Sequence, residues 1–218
     1  MSPPVSAPTL LASRLSALLA HDMAGALQGL KAALALFEDS PDEALLAEAR
    51  ALAQQSTAEL EGRLAFSRAA FAGRGAEGPE ELERLCQLPF AGRRASLRWA
   101  ALEPGAPAPL RQAALTFAQL GAAAAAAGGE ATAWLDRSGD DWRMRLEATS
   151  PRLRMDGEAL AGLKGEAPTP GAPGRWAAGA FVAQSLREAG AVLTIEVSDS
   201  ALALEARLGA DPRSDGSV

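Results

Sequence analysis

The sequence predicts an α+β protein: a long antiparallel helical hairpin followed by an α/β sandwich, a sheet with helices mostly on one face. Three observations predict it. Two long stretches, 9–38 and 41–73, carry apolar residues at helical spacing with a short turn between them. The run AGRGAEGP at 72–79 then breaks the pattern. Beyond it, short alternating stretches interleave with short helical ones.

The first helix is the element around which the rest is arranged. At about 100° per residue, Leu15, Leu19, Met23, Ala26, Leu30 and Phe37 form one broad apolar stripe, widened by Leu11 and Leu18. His21, the only histidine, lies on the far side, followed at once by Asp22. Arg14, Ala17, Ala24, Gly25 and Gln28 share that side on neighbouring turns. The imidazole is therefore expected to be exposed and ringed by small residues, so that a bulky partner can reach it. The second helix follows Asp39-Ser40-Pro41-Asp42-Glu43, with Ser40 as cap, Pro41 at the first helical position and Glu43 completing a capping box. Leu45, Leu46, Leu52, Leu60, Leu64 and Phe71 carry its apolar positions. Stripes this wide need a second neighbour each, which a second copy of the hairpin supplies as a four-helix bundle in a homodimer.

After the linker come a short helix at 80–88 and a strand at 96–102. A helix at 109–127 is rich in alanine at its end and is stopped by Gly128-Gly129. Residues 132–136 and 142–148 read as a hairpin around Ser138-Gly139. A short helix at 156–163, a Pro/Gly loop at 166–174, a helix at 176–188 and strands at 191–198 and 201–208 complete the domain. The chain thus divides into a disordered tail at 1–7, a hairpin domain at 8–73, a linker at 74–79, an α/β domain at 80–209 and a tail at 210–218.

Composition narrows the function. The chain has 218 residues and is 48% hydrophobic but only 5% aromatic, so it can bury a helix-rich core made mostly of Ala and Leu. A net charge of −6 argues against a nucleic-acid surface. The single Cys86 excludes an internal disulfide and suits a reducing compartment. No stretch is apolar enough to span a membrane and the start carries no signal pattern, so the expected location is cytoplasmic. One histidine and one cysteine argue against a protein-encoded zinc site. Residues 157–164, GEALAGLK, only loosely resemble a phosphate loop, since Leu163 separates Gly162 from Lys164 and Gly165 stands where Ser or Thr is required. Arg93, Arg94 and Arg98 read as a solvated basic face. What remains is His21: a neutral ring nitrogen is a competent nucleophile toward a phosphoryl group, and Asp22 can hold its tautomer or accept a proton.

An exposed His-Asp on a hairpin, then a linker and an α/β sandwich, resembles the dimerisation and catalytic halves of sensor histidine kinases, whose second half binds ATP. The chain departs from them in chemistry. It has no asparagine, the residue that holds Mg²⁺ in those kinases, and the corresponding helix offers Thr116 and Gln119. The strand after Trp142 runs into EATSP at 147–151 rather than the adenine-reading aspartate-x-glycine motif. LLAHDMAGAL around His21, FSRAAFAG at 66–73, LAGLKGE at 160–166 and the run GRWAAGAFVAQSLREAGAVLTIEV at 174–197 are closely similar to the ChpT-type histidine phosphotransferases of alphaproteobacteria. The resemblance implies a homodimer with a degenerate ATPase-like domain, and the missing asparagine and nucleotide lid predict no ATP binding and no cofactor on this chain. It implies relay of phosphate from the receiver domain of a hybrid histidine kinase to response-regulator receiver domains, with Mg²⁺ supplied by the receiver. His21 would be the phosphoacceptor, Asp22 its acidic neighbour, and Arg14, Ala17, Ala24, Gly25 and Gln28 the docking face. Two other readings are an ATP-dependent kinase core and a non-catalytic dimeric adaptor for receivers.

Overall fold

The computed structural model describes residues 7–39, 42–169 and 175–209. The expected tails at 1–7 and 210–218, the cap at Ser40, Pro41 and the end of the 166–174 loop fall wholly or largely outside them. The chain forms two compact units, Met1–Ser67 and Arg68–Val218.

The first unit is built from helix α1 (Ala7–Asp39) and most of helix α2 (Glu43–Ala72). The second helix starts later than its sequence suggests. Asp42 provides the cap: its Oδ1 accepts the Ala44 N–H at 2.9 Å, and its carbonyl accepts Leu46 N–H at 3.0 Å. The two helices run antiparallel. Asp22 faces Arg63, and Gly29 faces Ser56 so closely that a Cβ on Gly29 would strike the Ser56 hydroxyl. The centre line of the hairpin is made of small residues: Ala26 and Ala33 of α1 and Ala49 and Ser56 of α2 are buried, with Leu18. The larger side chains of both stripes, Leu15, Leu19, Met23, Leu30, Leu52 and Leu60 among them, stay half-buried.

The second unit is an α/β sandwich. Its sheet comprises β1 (Ala95–Leu102), β2 (Gly129–Ser138), β3 (Asp141–Thr149), β4 (Val192–Val197) and β5 (Ala201–Leu208) in the order β1-β2-β3-β5-β4. Only β1 and β2 are parallel, joined by the crossover helix α4 (Ala108–Ala124); every other neighbour is antiparallel. The remaining helices are α3 (Pro79–Gln87), which runs on into a 3₁₀ turn at Leu88–Phe90, α5 (Gly157–Lys164) and α6 (Arg175–Glu188). Alternation decides the faces. Leu97, Ala131, Ala133, Leu135, Met144, Leu146, Ala148, Leu202, Leu204 and Ala206 point to one side and are buried. Helix α4 covers them and is itself buried nearly all round, which is why it is built from alanine. At Gly121 a Cβ would sit 2.9 Å from the Leu146 side chain, so the helix can approach the sheet only where that atom is missing. The helix ends at Ala124, three residues before the alanine run does, and Gly129 already belongs to β2.

The other face of the sheet carries charge. Arg143 holds Asp136 through two hydrogen bonds of 3.0 and 2.7 Å, while Arg145 bonds Glu147 and also reaches Glu205 at 2.9 Å. Burial pushes the Glu205 carboxyl up, and hydrogen bonds from Arg145 and Arg207 outweigh it, so the group stays ionised below the ordinary carboxylate range. Arg98 joins this face, bonding Glu130 and Thr132, whereas Arg93 turns away to the Ala122 carbonyl. The expected basic cluster is thus divided.

Helices α5 and α6 cross with their backbones in contact. A Cβ on Gly162 would strike the Trp176 carbonyl, and one on Gly179 would strike the Ala159 carbonyl. Asp156 caps α5, accepting the Glu158 and Ala159 N–H groups, and Gly165 ends it in the left-handed conformation at φ 74°. The Trp176 indole donates to the Glu166 carbonyl at 2.8 Å. LAGLKGE is therefore a packing motif: a glycine for the crossing, a glycine for the helix end, and a carbonyl for the tryptophan. The last turn of α2 belongs to this unit as well, with Ala69 and Ala70 buried and Phe71 meeting Phe181 edge to face at 5.6 Å.

Candidate functional site

The imidazole of His21 projects from the middle of α1 with 87% of its side chain exposed. Its Nδ1 lies 3.3 Å from Oδ1 of Asp22. A carboxylate can only accept, so the tautomer that suits this contact carries its proton on Nδ1. Nε2 is then left with a free lone pair and points away from Asp22, toward solvent.

The helix face around the ring is open. Ala17, Ala24, Gly25 and Gln28 are exposed, and no heavy atom lies within 4 Å of the position a Cβ on Gly25 would take. Arg14, two turns before the histidine, is half-buried. Four of the five residues that the sequence sets beside His21 are thus exposed around it on α1, and the fifth, Arg14, is half-buried.

Two residues of α2 complete the constellation, and the sequence reading did not name them. Arg63 Nη1 stands 4.0 Å from Asp22 Oδ1, and the same guanidinium is held by Glu59, whose Oε1 accepts from Nε at 3.0 Å. Asp22 is thereby shared between the imidazole and a fixed cation, and is 32% exposed. The signal was present: a turn near residue 42 sets 60–64 opposite Asp22, and Arg63 is the only cation in that window.

Other candidates lose their chemistry in the fold. Cys86 is fully buried, and burial pushes its thiol far above the range in which a thiolate forms. Among the described residues no group of three or more His, Cys, Asp or Glu side chains could hold a metal ion. None of their helices is long and apolar enough to cross a membrane.

Comparison with known proteins brings in four findings. Residues 79–201, more than half of the chain, match the family model described as the histidine phosphotransferase C-terminal domain. The matched stretch lies wholly in the second unit and does not include His21. Among solved structures, one described as a bacterial phosphotransferase is similar over 94% of this chain and 98% of its own, with a TM-score of 0.77 at 21% identity, which is a likeness of fold. The histidine kinase domain of a blue-light activated kinase from Erythrobacter litoralis aligns over 84% of this chain and 95% of its own, at 13% identity and a TM-score of 0.45. No curated protein sequence matches.

Proposed function

The chain belongs to the histidine phosphotransferase family, and from that premise we propose that it relays phosphoryl groups between receiver domains through His21. One observation carries the proposal: the only imidazole in the chain is 87% exposed on an open helix face, with Nδ1 against a carboxylate and Nε2 free.

The step follows from that geometry. Nε2 attacks the phosphorus of an aspartyl phosphate in line, forming an N–P bond as the bond from phosphorus to the carboxylate oxygen breaks. The aspartate leaves as a free carboxylate, so no proton has to be removed. The ring keeps its Nδ1 proton and gains positive character, which the Asp22 carboxylate stabilises. Arg63 and Glu59 hold Asp22 in place from the second helix. Attack by the carboxylate of a second receiver reverses the step and returns the neutral ring. Reaction requires the atoms to approach to about 3–3.5 Å, and the small residues Ala17, Ala24 and Gly25 permit it. Mg²⁺ and most of the charge stabilisation come from the receiver.

The donor in this reading is the receiver domain of a hybrid histidine kinase, the acceptors are response-regulator receivers, and the setting is the cytoplasm. ATP has no part in it. On α4 the position corresponding to the kinase asparagine offers Thr116, which is buried, and Gln119, half-buried.

Incubation with a phosphorylated receiver should put acid-labile, base-stable phosphate on the chain, and His21→Ala should carry none. A variant without histidine that still acquires such phosphate would sink the assignment. Phosphorylation by ATP and Mg²⁺ alone would revive the kinase reading, and receiver binding without any transfer would leave an adaptor.

A further inference from the structure

The sheet has two edges, β1 and β4, and β4 is the less protected of them. An edge strand offers unpaired N–H and C=O groups to any other strand, and proteins blunt such edges with bulges, charge or proline. β1 has a register shift between Trp99 and Ala101 and carries Arg98. β4, VLTIEV, has no proline, its register with β5 is unbroken, and its one charge is Glu196 on the open face. Val192, 65% exposed, and Val197, 47% exposed, are the only exposed large hydrophobics of the second unit among the described residues, and both are on this strand.

The direction of the free backbone groups follows from the hairpin. Ser198 N–H donates to the Ala201 carbonyl at 2.8 Å, making Ser198 and Ala201 a hydrogen-bonded pair. Pairs alternate along an antiparallel ladder. Val192, Thr194 and Glu196 therefore bond to β5, and Leu193, Ile195 and Val197 turn their amides and carbonyls to the free edge. Among the described residues no backbone hydrogen bond outside the β4–β5 ladder reaches those three.

We propose that β4 is a self-association edge, on which a second copy of the chain pairs its own β4 antiparallel about a two-fold axis at Ile195. Residues opposite one another lie on the same face of a sheet, so the axis must lie between a residue and its own equivalent. An axis at Thr194 sets Glu196 opposite the aliphatic Val192. An axis at Ile195 avoids that pairing and sets Val192 opposite Ser198 instead. On the helix-covered face Leu193 meets Val197 of the other copy, and Ile195 meets its own equivalent. On the open face the Thr194 hydroxyl lies beside the Glu196 carboxylate as a donor. No like charges meet, and all three outward-facing residues join hydrogen-bonded pairs. This self-complementarity is what selects a second copy over a foreign strand. The edge belongs to the second unit, and the inference depends neither on the phosphotransfer reading nor on a dimer made by the helices.

Cysteine cross-linking of the full chain reads the register directly. Thr194 and Glu196 of the other copy form a non-hydrogen-bonded pair, with Cα atoms about 4.5 Å apart, within disulfide range. Thr194→Cys and Glu196→Cys chains, mixed and mildly oxidised, should give a two-chain band on a non-reducing denaturing gel. Neither variant alone should, because like positions lie two residues apart along the strand, about 8 Å away and beyond bridging distance. Buried Cys86 does not compete. Adding Val197→Lys to both chains, with the helical and strand content unchanged by circular dichroism, should lower the cross-linked yield at least fivefold. Absence of the band in the mixture, equal bands in the single variants, or a yield indifferent to Val197→Lys would each overturn the proposal.

Discussion

At the scale of single residues the site is a division of labour across one ring. Asp22 takes Nδ1, the solvent side takes Nε2, and Arg63 keeps Asp22 from being solely the histidine's partner. His21→Ala should abolish transfer and leave the circular dichroism spectrum and the assembly state as they were, since the ring touches little. Asp22→Asn keeps a hydrogen-bond acceptor beside Nδ1 but loses the charge. A charge-assisted hydrogen bond contributes about 1.5–3 kcal/mol when well formed. This one is long and solvated, so the expected slowing of transfer is about tenfold at unchanged receiver affinity, measured by single-turnover transfer. Gly25→Arg should do the opposite, weakening receiver binding at unchanged fold, because a side chain there enters open space on the docking face. The position of His21 was legible in the sequence from periodicity alone. Arg63 was not named, because a helix wheel shows which side of its own helix a residue occupies and says nothing of the residue opposite.

At the scale of elements, glycine contacts decide more than hydrophobic pattern does. Gly162→Val should destabilise the second unit by about 1–3 kcal/mol or more, the range for overpacking. The added atoms meet the Trp176 carbonyl and the Ala180 amide, which are backbone and cannot rotate away. Urea unfolding checks it, and a variant as stable as the parent would mean the crossing is looser than described. The open-face charge ladder has its own signature. Glu205 ionises below the ordinary carboxylate range in the folded chain, so it contributes stability above the unfolded-state pKa and loses it as the pH falls through the lower folded value. Melting temperature should therefore drop on acidification, and Glu205→Gln should flatten that part of the profile. The sequence revealed every helix and strand of this unit, because each has a clear period and a turn signal such as Ser138-Gly139, where Gly139 adopts φ 64°. Strand order was not legible. β4 is as apolar and β-branched as any buried strand, yet it lies at an edge, and β5 with its Glu205 lies inside. A polar residue in a central strand reads as surface until its arginine partners on other strands are known.

At the scale of the whole molecule, the hairpin leaves more apolar surface in water than a lone pair of helices should. Leu34 is 52% exposed, Leu27 45%, Leu64 40% and Leu45 38%. Its buried centre consists of one leucine and small residues, Leu18, Ala26, Ala33, Ala49 and Ser56. Each fully buried leucine adds about 1.5–3 kcal/mol relative to exposure, and two helices cannot enclose a stripe on their outer flanks. A second hairpin can, as a four-helix bundle with His21 remaining on an outward face. Sedimentation at micromolar concentration should accordingly give twice the 22.4 kDa mass of one chain. Leu27→Glu with Leu34→Glu should drive the equilibrium to single chains and lower the helix content measured at 222 nm, whereas the β4 edge variant Val197→Lys should leave this dimer intact. The two changes test different surfaces, and only the first bears on the bundle. A folded single chain in the unaltered protein, with full helix signal on dilution to nanomolar concentration, would mean that the hairpin is stable by itself and that its exposed leucines serve another partner.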